Sequence, residues 1–244
     1  MVNYEEKVHE DLYHWRRKLT AKPSMVNRLS KQVQTKVNEK IPAKIHDIIT
    51  ESIKKMVQAT LIGSEYTTKV KEVQDSLEKK DQLVEQTINT YKRTAAVEGA
   101  GTGAGGILLG IADFPLLLSI KMKFLFEVAS IYGYDTKKYE ERIFILYIFQ
   151  LAFSGDKHRI ETLKVIEEWE QRKEELVEID WQVFQQEYRD YIDLIKMLQL
   201  VPGLGAIVGA YANYNLLDHL GSTAMNCYRL RTLNSQNHKK DFLQ

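Results

Sequence analysis

A chain of 244 residues, 44 % of them hydrophobic and 27 % charged, has the composition of an ordinary folded domain and is long enough to bury a substantial core. Its 34 Lys and Arg against 33 Asp and Glu leave almost no net charge, which argues against nucleic acid or any other polyanion as a partner for the molecule as a whole. A single cysteine, Cys227, permits no internal disulfide, and the opening "MVNYEEKVHE" lacks the apolar core of a signal peptide, so a cytoplasmic location is expected.

The first predicted element is a helix over about residues 2–21, because Tyr4, Val8, Leu12, Trp15 and Leu19 recur every three or four positions. The run "WRRKL" sets Trp15 beside Arg16, Arg17 and Lys18. An aromatic with basic neighbours at a helix end suits an anionic membrane surface, while the bland use of the same stripe is packing against the rest of the domain. Residues 1–22 are therefore set apart as an amphipathic basic helix and residues 23–244 as one helical domain. Helical spacing continues through Val26, Leu29, Val33 and Val37, through Ile45, Ile49, Ile53, Met56 and Val57, and through Val70, Val73, Leu77, Val84, Ile88 and Tyr91. It returns in Trp181, Phe184, Tyr188, Tyr191, Ile195 and Leu198, and sustained alternation of the strand type is absent. An all-α fold follows, with breaks at Pro23, near Pro42, at Gly63, through 99–115, at Gly133, at Gly155 and at Pro202.

Local charge is uneven. Residues 1–40 hold nine Lys or Arg and five Asp or Glu, whereas residues 161–190 hold four and ten. The acidic stretch "EEWEQRKEELVEID" reads as a solvated helix face laced with i,i+4 pairs, with docking of a basic partner as the alternative.

The stretch "GAGTGAGGILLGIADFP" at 99–115 raises three possibilities. Gly101, Gly103 and Gly106 match a dinucleotide fingerprint, but the preceding "VEQTINTYKRTAAVE" is helical and polar where that fold needs a strand, so no nucleotide is expected. A simple membrane span is disfavoured because only the fourteen residues 107–120 are strongly apolar and Asp113 lies among them. Close helix packing remains. Gly101 and Gly105, and Gly106 and Gly110, each stand four apart, and a glycine row lets a second backbone approach. Asp113 then caps a new helix that carries Pro115 in its first turn. A second uncharged segment, "LVPGLGAIVGAYANYNLL" at 200–217, carries Gly205 and Gly209 four apart, and the two segments are expected to pack together, with Asp113 and Asn213 as buried polar groups that fix their register.

No catalytic constellation is visible. His9-Glu10 has no second histidine at the zinc-protease spacing, "SGDKH" at 154–158 reads as a capped turn rather than a triad, and Cys227 reads as a small buried side chain. No metal or cofactor is expected.

At the glycine segments the sequence resembles the EcsC protein family. The resemblance covers most of residues 60–233 and is most specific in the glycine run leading to Gly110-Ile-Ala-Asp113-Phe-Pro115, in Tyr132-Gly-Tyr-Asp135, and in the late Pro-Gly, Asn213 and Tyr228-Arg229-Leu-Arg231 region. It implies a bacterial protein without an assigned activity, associated with genes for the ATPase and membrane subunit of an ABC-type exporter. The expected function is that of a non-enzymatic interaction protein at the cytoplasmic membrane face, with an anionic membrane surface and ABC transporter subunits as partners. Two alternatives are a lipid-binding protein with an apolar groove lined by residues 107–126 and 143–153, and a hydrolase whose catalytic residues are not identified.

Overall fold

The computed structural model describes residues 3–21, 43–63, 66, 76–103, 114–177 and 206–241. They form eight helices and no strand: α1 (Tyr4–Thr20), α2 (Ala43–Ile62), α3 (Leu77–Gly103), α4 (Phe114–Tyr132), α5 (Tyr139–Phe153), α6 (Asp156–Glu167), α7 (Trp169–Val177) and α8 (Ala206–Asp241). The all-α expectation holds. The stripes at Val26–Val37 and Trp181–Leu198, the residues Val70 and Val73, and the breaks at Pro23, Pro42 and Pro202 lie outside the described residues.

Glycine ends the helices where the sequence indicates. Gly63 and Gly133 adopt φ of 73° and 91°, a left-handed conformation that costs glycine little. At Gly133 the N–H groups of Gly133 and Tyr134 donate to the carbonyls of Ser130 and Ala129, both at 3.0 Å, which satisfies the last turn of α4. Gly155 stands between α5 and α6, and Ser154 Oγ donates to the Gln150 carbonyl at 2.5 Å, so within "SGDKH" Ser154 and Gly155 make the turn, the serine turned back on the preceding helix, and Asp156 opens α6.

The core is centred on α5, whose side chains from Ile143 to Phe153 are all buried, as expected for a helix apolar on every side. Full burial of each Leu, Ile or Phe stabilises by about 1.5–3 kcal/mol. Helix α1 joins the same core through Val8, Leu12 and Leu19, with Tyr4 and Trp15 packed against it half-buried.

Helices α3 and α8 form the most extensive pair among the described residues. They run antiparallel, Asp81 lying beside Arg229, Ile88 beside Gly221 and Lys92 beside Asp218. A Cβ on Gly221 would stand 2.6 Å from Ile88 Cγ1, so glycine here is required by close approach of the two helices.

Contacts between helix ends give the bundle two distinct poles. Tyr132 at the end of α4 meets Lys80 near the start of α3, Ala152 at the end of α5 meets His219 of α8, and Leu61 at the end of α2 meets Arg142 at the start of α5. The last turn of α3 and the first turns of α2, α4 and α8 therefore share one pole, and the first turns of α1, α3 and α5 share the other with the last turns of α2 and α4, while α5 ends level with His219, partway along α8.

Candidate functional site

Residues Tyr228-Arg229-Leu230-Arg231 lie on α8, where a separation of two residues turns side chains by about 200°. Arg229 and Arg231 leave opposite faces, and each enters a buried carboxylate cluster. Arg229 Nε donates to Asp81 Oδ2 at 2.8 Å, and the Tyr4 hydroxyl donates to the same oxygen at 2.7 Å. The Tyr132 hydroxyl donates to Asp81 Oδ1. Asp11 lies 3.6 Å from Arg229 Nη1, so the cluster ties α1, α3, α4 and α8 together. Burial, reinforced by the adjacent Asp81 charge, pushes the Tyr4 hydroxyl up to about 12 and the Tyr132 hydroxyl well above its ordinary value. Both remain protonated donors at neutral pH.

On the other face Arg231 grips Glu141 with two parallel hydrogen bonds of 2.5 and 2.6 Å, and its Nε donates to Glu170 at 2.6 Å. Its guanidinium also lies over the rings of Tyr134 and Phe144, 4.1 and 4.7 Å from their centres. Lys173 holds the second oxygen of Glu170 at 2.8 Å. Burial acts to raise the Glu170 pKa, but the hydrogen bonds from Lys173 and Arg231 outweigh it and the net shift is downward. Every charge in the two clusters has an opposite charge against it. Such an arrangement orients helices and is poorly suited to proton transfer, which needs a group poised to change state.

Lys121 on α4 has a different environment. It is fully buried, its ammonium has no hydrogen-bond partner among the described residues, and burial lowers its pKa to about 7. Its helical neighbours Leu117, Leu118, Phe124 and Leu125 are buried and apolar.

At the surface, α1 and α6 border a groove of about 460 Å³ lined by Tyr13, Arg16, Arg17, Thr20, Ile160, Leu163, Lys164 and Glu167. Tyr13 is 64 % and Ile160 41 % exposed, while Leu163 forms a buried floor. Arg16 pairs with Glu167 at 2.6 Å; Arg17, Lys18 and Lys164 are exposed.

The residues singled out in the sequence divide accordingly. Trp15 packs half-buried against the core, so the exposed aromatic of α1 is Tyr13. Gly101 stands on α3, and Gly209 and Asn213 stand on α8, whereas Gly105, Gly106, Gly110, Gly205 and Asp113 lie outside the described residues. Pro115 occupies the first turn of α4, as the break predicts. The acidic stretch is in part the paired surface expected, Arg172 lying between Glu168 and Glu175, but Glu170 turns inward to Arg231. Cys227 is buried and its thiol pKa is pushed up by burial. The run at 143–153, expected to line a groove, is packed into the core. Asp81, Glu141, Lys121 and Gly221 carry no mark in a motif search. Their signal is positional, since Asp81 falls on the buried stripe Leu77, Val84, Ile88, and Lys121 on Leu117, Leu118, Leu125, Val128.

The model of the EcsC protein family matches residues 6–233, nearly the whole chain. The chain belongs to the EcsC protein family. Within that match lie the α1–α6 groove and both arginine clusters, Tyr4 excepted. The sequence is 56 % identical to Protein EcsC of Bacillus subtilis (strain 168) over 225 residues, covering 92 % of this chain and 94 % of the relative. It is also 32 % identical to the uncharacterized protein YdbA of the same strain over 157 residues, covering 63 % of this chain and 58 % of that one. No solved structure matches. Among the described residues no helix is long and apolar enough to cross a membrane, and no group of His, Cys, Asp and Glu has a metal-binding arrangement.

Proposed function

We propose that the protein is a non-enzymatic interaction protein held peripherally at the cytoplasmic face of the membrane, where it serves an ABC-type exporter. The observation that carries the membrane reading is the α1–α6 surface, on which exposed Tyr13 and Ile160 stand among Arg17 and Lys164, with Lys18 also exposed on α1. Apolar side chains that reach the acyl boundary, ringed by cations that meet anionic headgroups, are the chemistry of interfacial attachment. The exporter partnership is an extension drawn from the family resemblance. Copurification of exporter subunits with the tagged protein from membranes checks it.

The membrane reading is tested by sedimentation with vesicles of phosphatidylglycerol and phosphatidylcholine. A basic residue near an anionic surface is worth about 1 kcal/mol, so Arg17→Gln, Lys18→Gln and Lys164→Gln together should weaken binding by about 100-fold at low salt. Raising the salt should weaken the parent and shrink the difference. A triple variant that binds as the parent does, at every salt concentration, removes this surface from the membrane contact.

A further inference from the structure

The two arginine clusters differ in what a departing helix leaves behind. Arg231 is bound to Glu141 of α5, the helix at the centre of the core, so those two charges part only when the core opens. Arg229 is built otherwise. It keeps its Nε–Oδ2 hydrogen bond to Asp81, the Tyr132 hydroxyl on that carboxylate and Asn226 Oδ1 beside its Nη1 whether or not α1 is in place. What α1 adds is the Tyr4 hydroxyl and the Asp11 carboxylate, both of which travel with α1 and meet water when it leaves. Removing α1 therefore strands no charge in the core.

The rest of its attachment is thin. Val8, Leu12 and Leu19 are its buried apolar side chains, with Tyr4 and Trp15 half-buried beside them, and α1 lies mainly against α6 and α8. Helix α5, by contrast, is buried on every side. Near the C-terminal end of α1, Arg16 pairs with Glu167 at 2.6 Å while its side chain is 52 % exposed, and Arg159 Nε donates to the Leu19 carbonyl at 3.2 Å. An ion pair so exposed contributes little. Elements with few buried apolar contacts open locally, ahead of the core. Residues 21–42 lie between α1 and α2, so the chain permits α1 to move without drawing α2 with it.

We propose that α1 is a latch, in equilibrium between the docked form described above and an open form in which the rest of the bundle stays folded, and that docking assembles the membrane surface. Tyr13 and Arg17 belong to α1 and Ile160 and Lys164 to α6, so their groove exists only while α1 is docked. This rests on the peripheral membrane reading above and adds its regulation. A membrane that binds the docked form draws the latch shut, and by the same linkage a factor that holds α1 open releases the protein.

The test is thiol labelling of full-length Leu12→Cys, position 12 being covered in the docked form, with native buried Cys227 of α8 as internal reference. Position 12 should react at least tenfold faster than Cys227, because α1 opens more often than the core. Vesicles of phosphatidylglycerol and phosphatidylcholine should slow that reaction, by about tenfold at a lipid concentration about nine times the dissociation constant, since they bind the docked form. Because Leu12→Cys itself loosens α1, hydrogen exchange of the unaltered protein is the companion measurement. Amides of residues 8–19 should exchange together and be less protected than those around Ile88 of α3 and Leu220 of α8. Equal labelling at positions 12 and 227, or α1 amides as protected as those of α3 and α8, overturns the latch. Vesicles that bind yet accelerate labelling at position 12, or leave it unchanged, overturn the regulation while leaving membrane binding standing. A parent that binds no vesicle overturns the membrane reading and the regulation with it, and the labelling rates then judge the latch alone.

Discussion

Arg231 is the position at which a single substitution should cost the fold most. Its side chain is 5 % exposed and that of Glu141 6 %, so Arg231→Leu leaves a carboxylate in the core with its two charged hydrogen bonds removed. Breaking a buried pair from one side typically costs about 3–5 kcal/mol, against a total stability of roughly 5–15 kcal/mol for a domain. Glu170 loses less, because Lys173 still holds it and its side chain is 30 % exposed. Replacing both partners, Arg231→Leu with Glu141→Leu, removes the stranded charge and should recover most of the loss, the coupling between the two sites being about 2–3 kcal/mol. Urea denaturation followed by circular dichroism measures all three, provided the slope with denaturant is unchanged. If Arg231→Leu costs less than about 1 kcal/mol, or if the double variant is as unstable as the sum of the singles, the cluster does not hold helices α5, α7 and α8 in the manner described.

Two further outcomes test other parts of the core. Lys121 has a folded pKa of about 7 against an ordinary 10.5, so the unfolded chain binds more protons between those values and the group's penalty on folding is full below pH 7 and relieved as pH rises toward 10.5. Lys121→Met should therefore stabilise the protein at pH 7, with the advantage over the parent shrinking by up to about 1.4 kcal/mol per pH unit in that window; an advantage independent of pH between 7 and 10 contradicts it. At the α3–α8 contact, Gly221→Ala drives a methyl group against the β-branched, stiff Ile88 and should cost about 1–3 kcal/mol, and Ile88→Ala in the same chain should offset part of that; additive losses would mean the helices do not meet there.

Much of the helical organisation was legible because it depends on local rules. Three- and four-residue spacing marked α1, α2 and α3, and Gly63, Gly133 and Gly155 marked ends that the backbone adopts. The interior use of α5 was less legible. An uncharged run such as "IFILYIFQLAF" has no polar face to say which side meets water, and a groove wall and a core helix give the same pattern. Its burial is a consequence of where α2, α6, α7 and α8 lie, which spacing within the run does not encode.

The charged residues of the interior illustrate the same boundary from the opposite direction. A stripe containing Asp81 can be read as a helix face interrupted by one solvated carboxylate, and only the meeting of that face with Arg229, 148 positions later in the chain, converts the interruption into a buried pair. Lys121 breaks its stripe in the same way but meets no partner among the described residues, and that difference has no signature in either local sequence. A charged residue at a stripe position is thus a pointer to a long-range event without naming its other half. For the surface the pointer is weaker still, since Trp15 and Tyr13 are two residues apart beside the same cations, and the angle by which α1 sits on the core decides which aromatic faces outward. That angle is set in part by Leu12 and Leu19 seating in the core and by Tyr4 and Asp11 reaching the Asp81–Arg229 pair. The buried charges and the candidate membrane surface are therefore parts of one arrangement: α1 presents Tyr13, Arg17 and Lys18 outward because its other face is tied to α3 and α8.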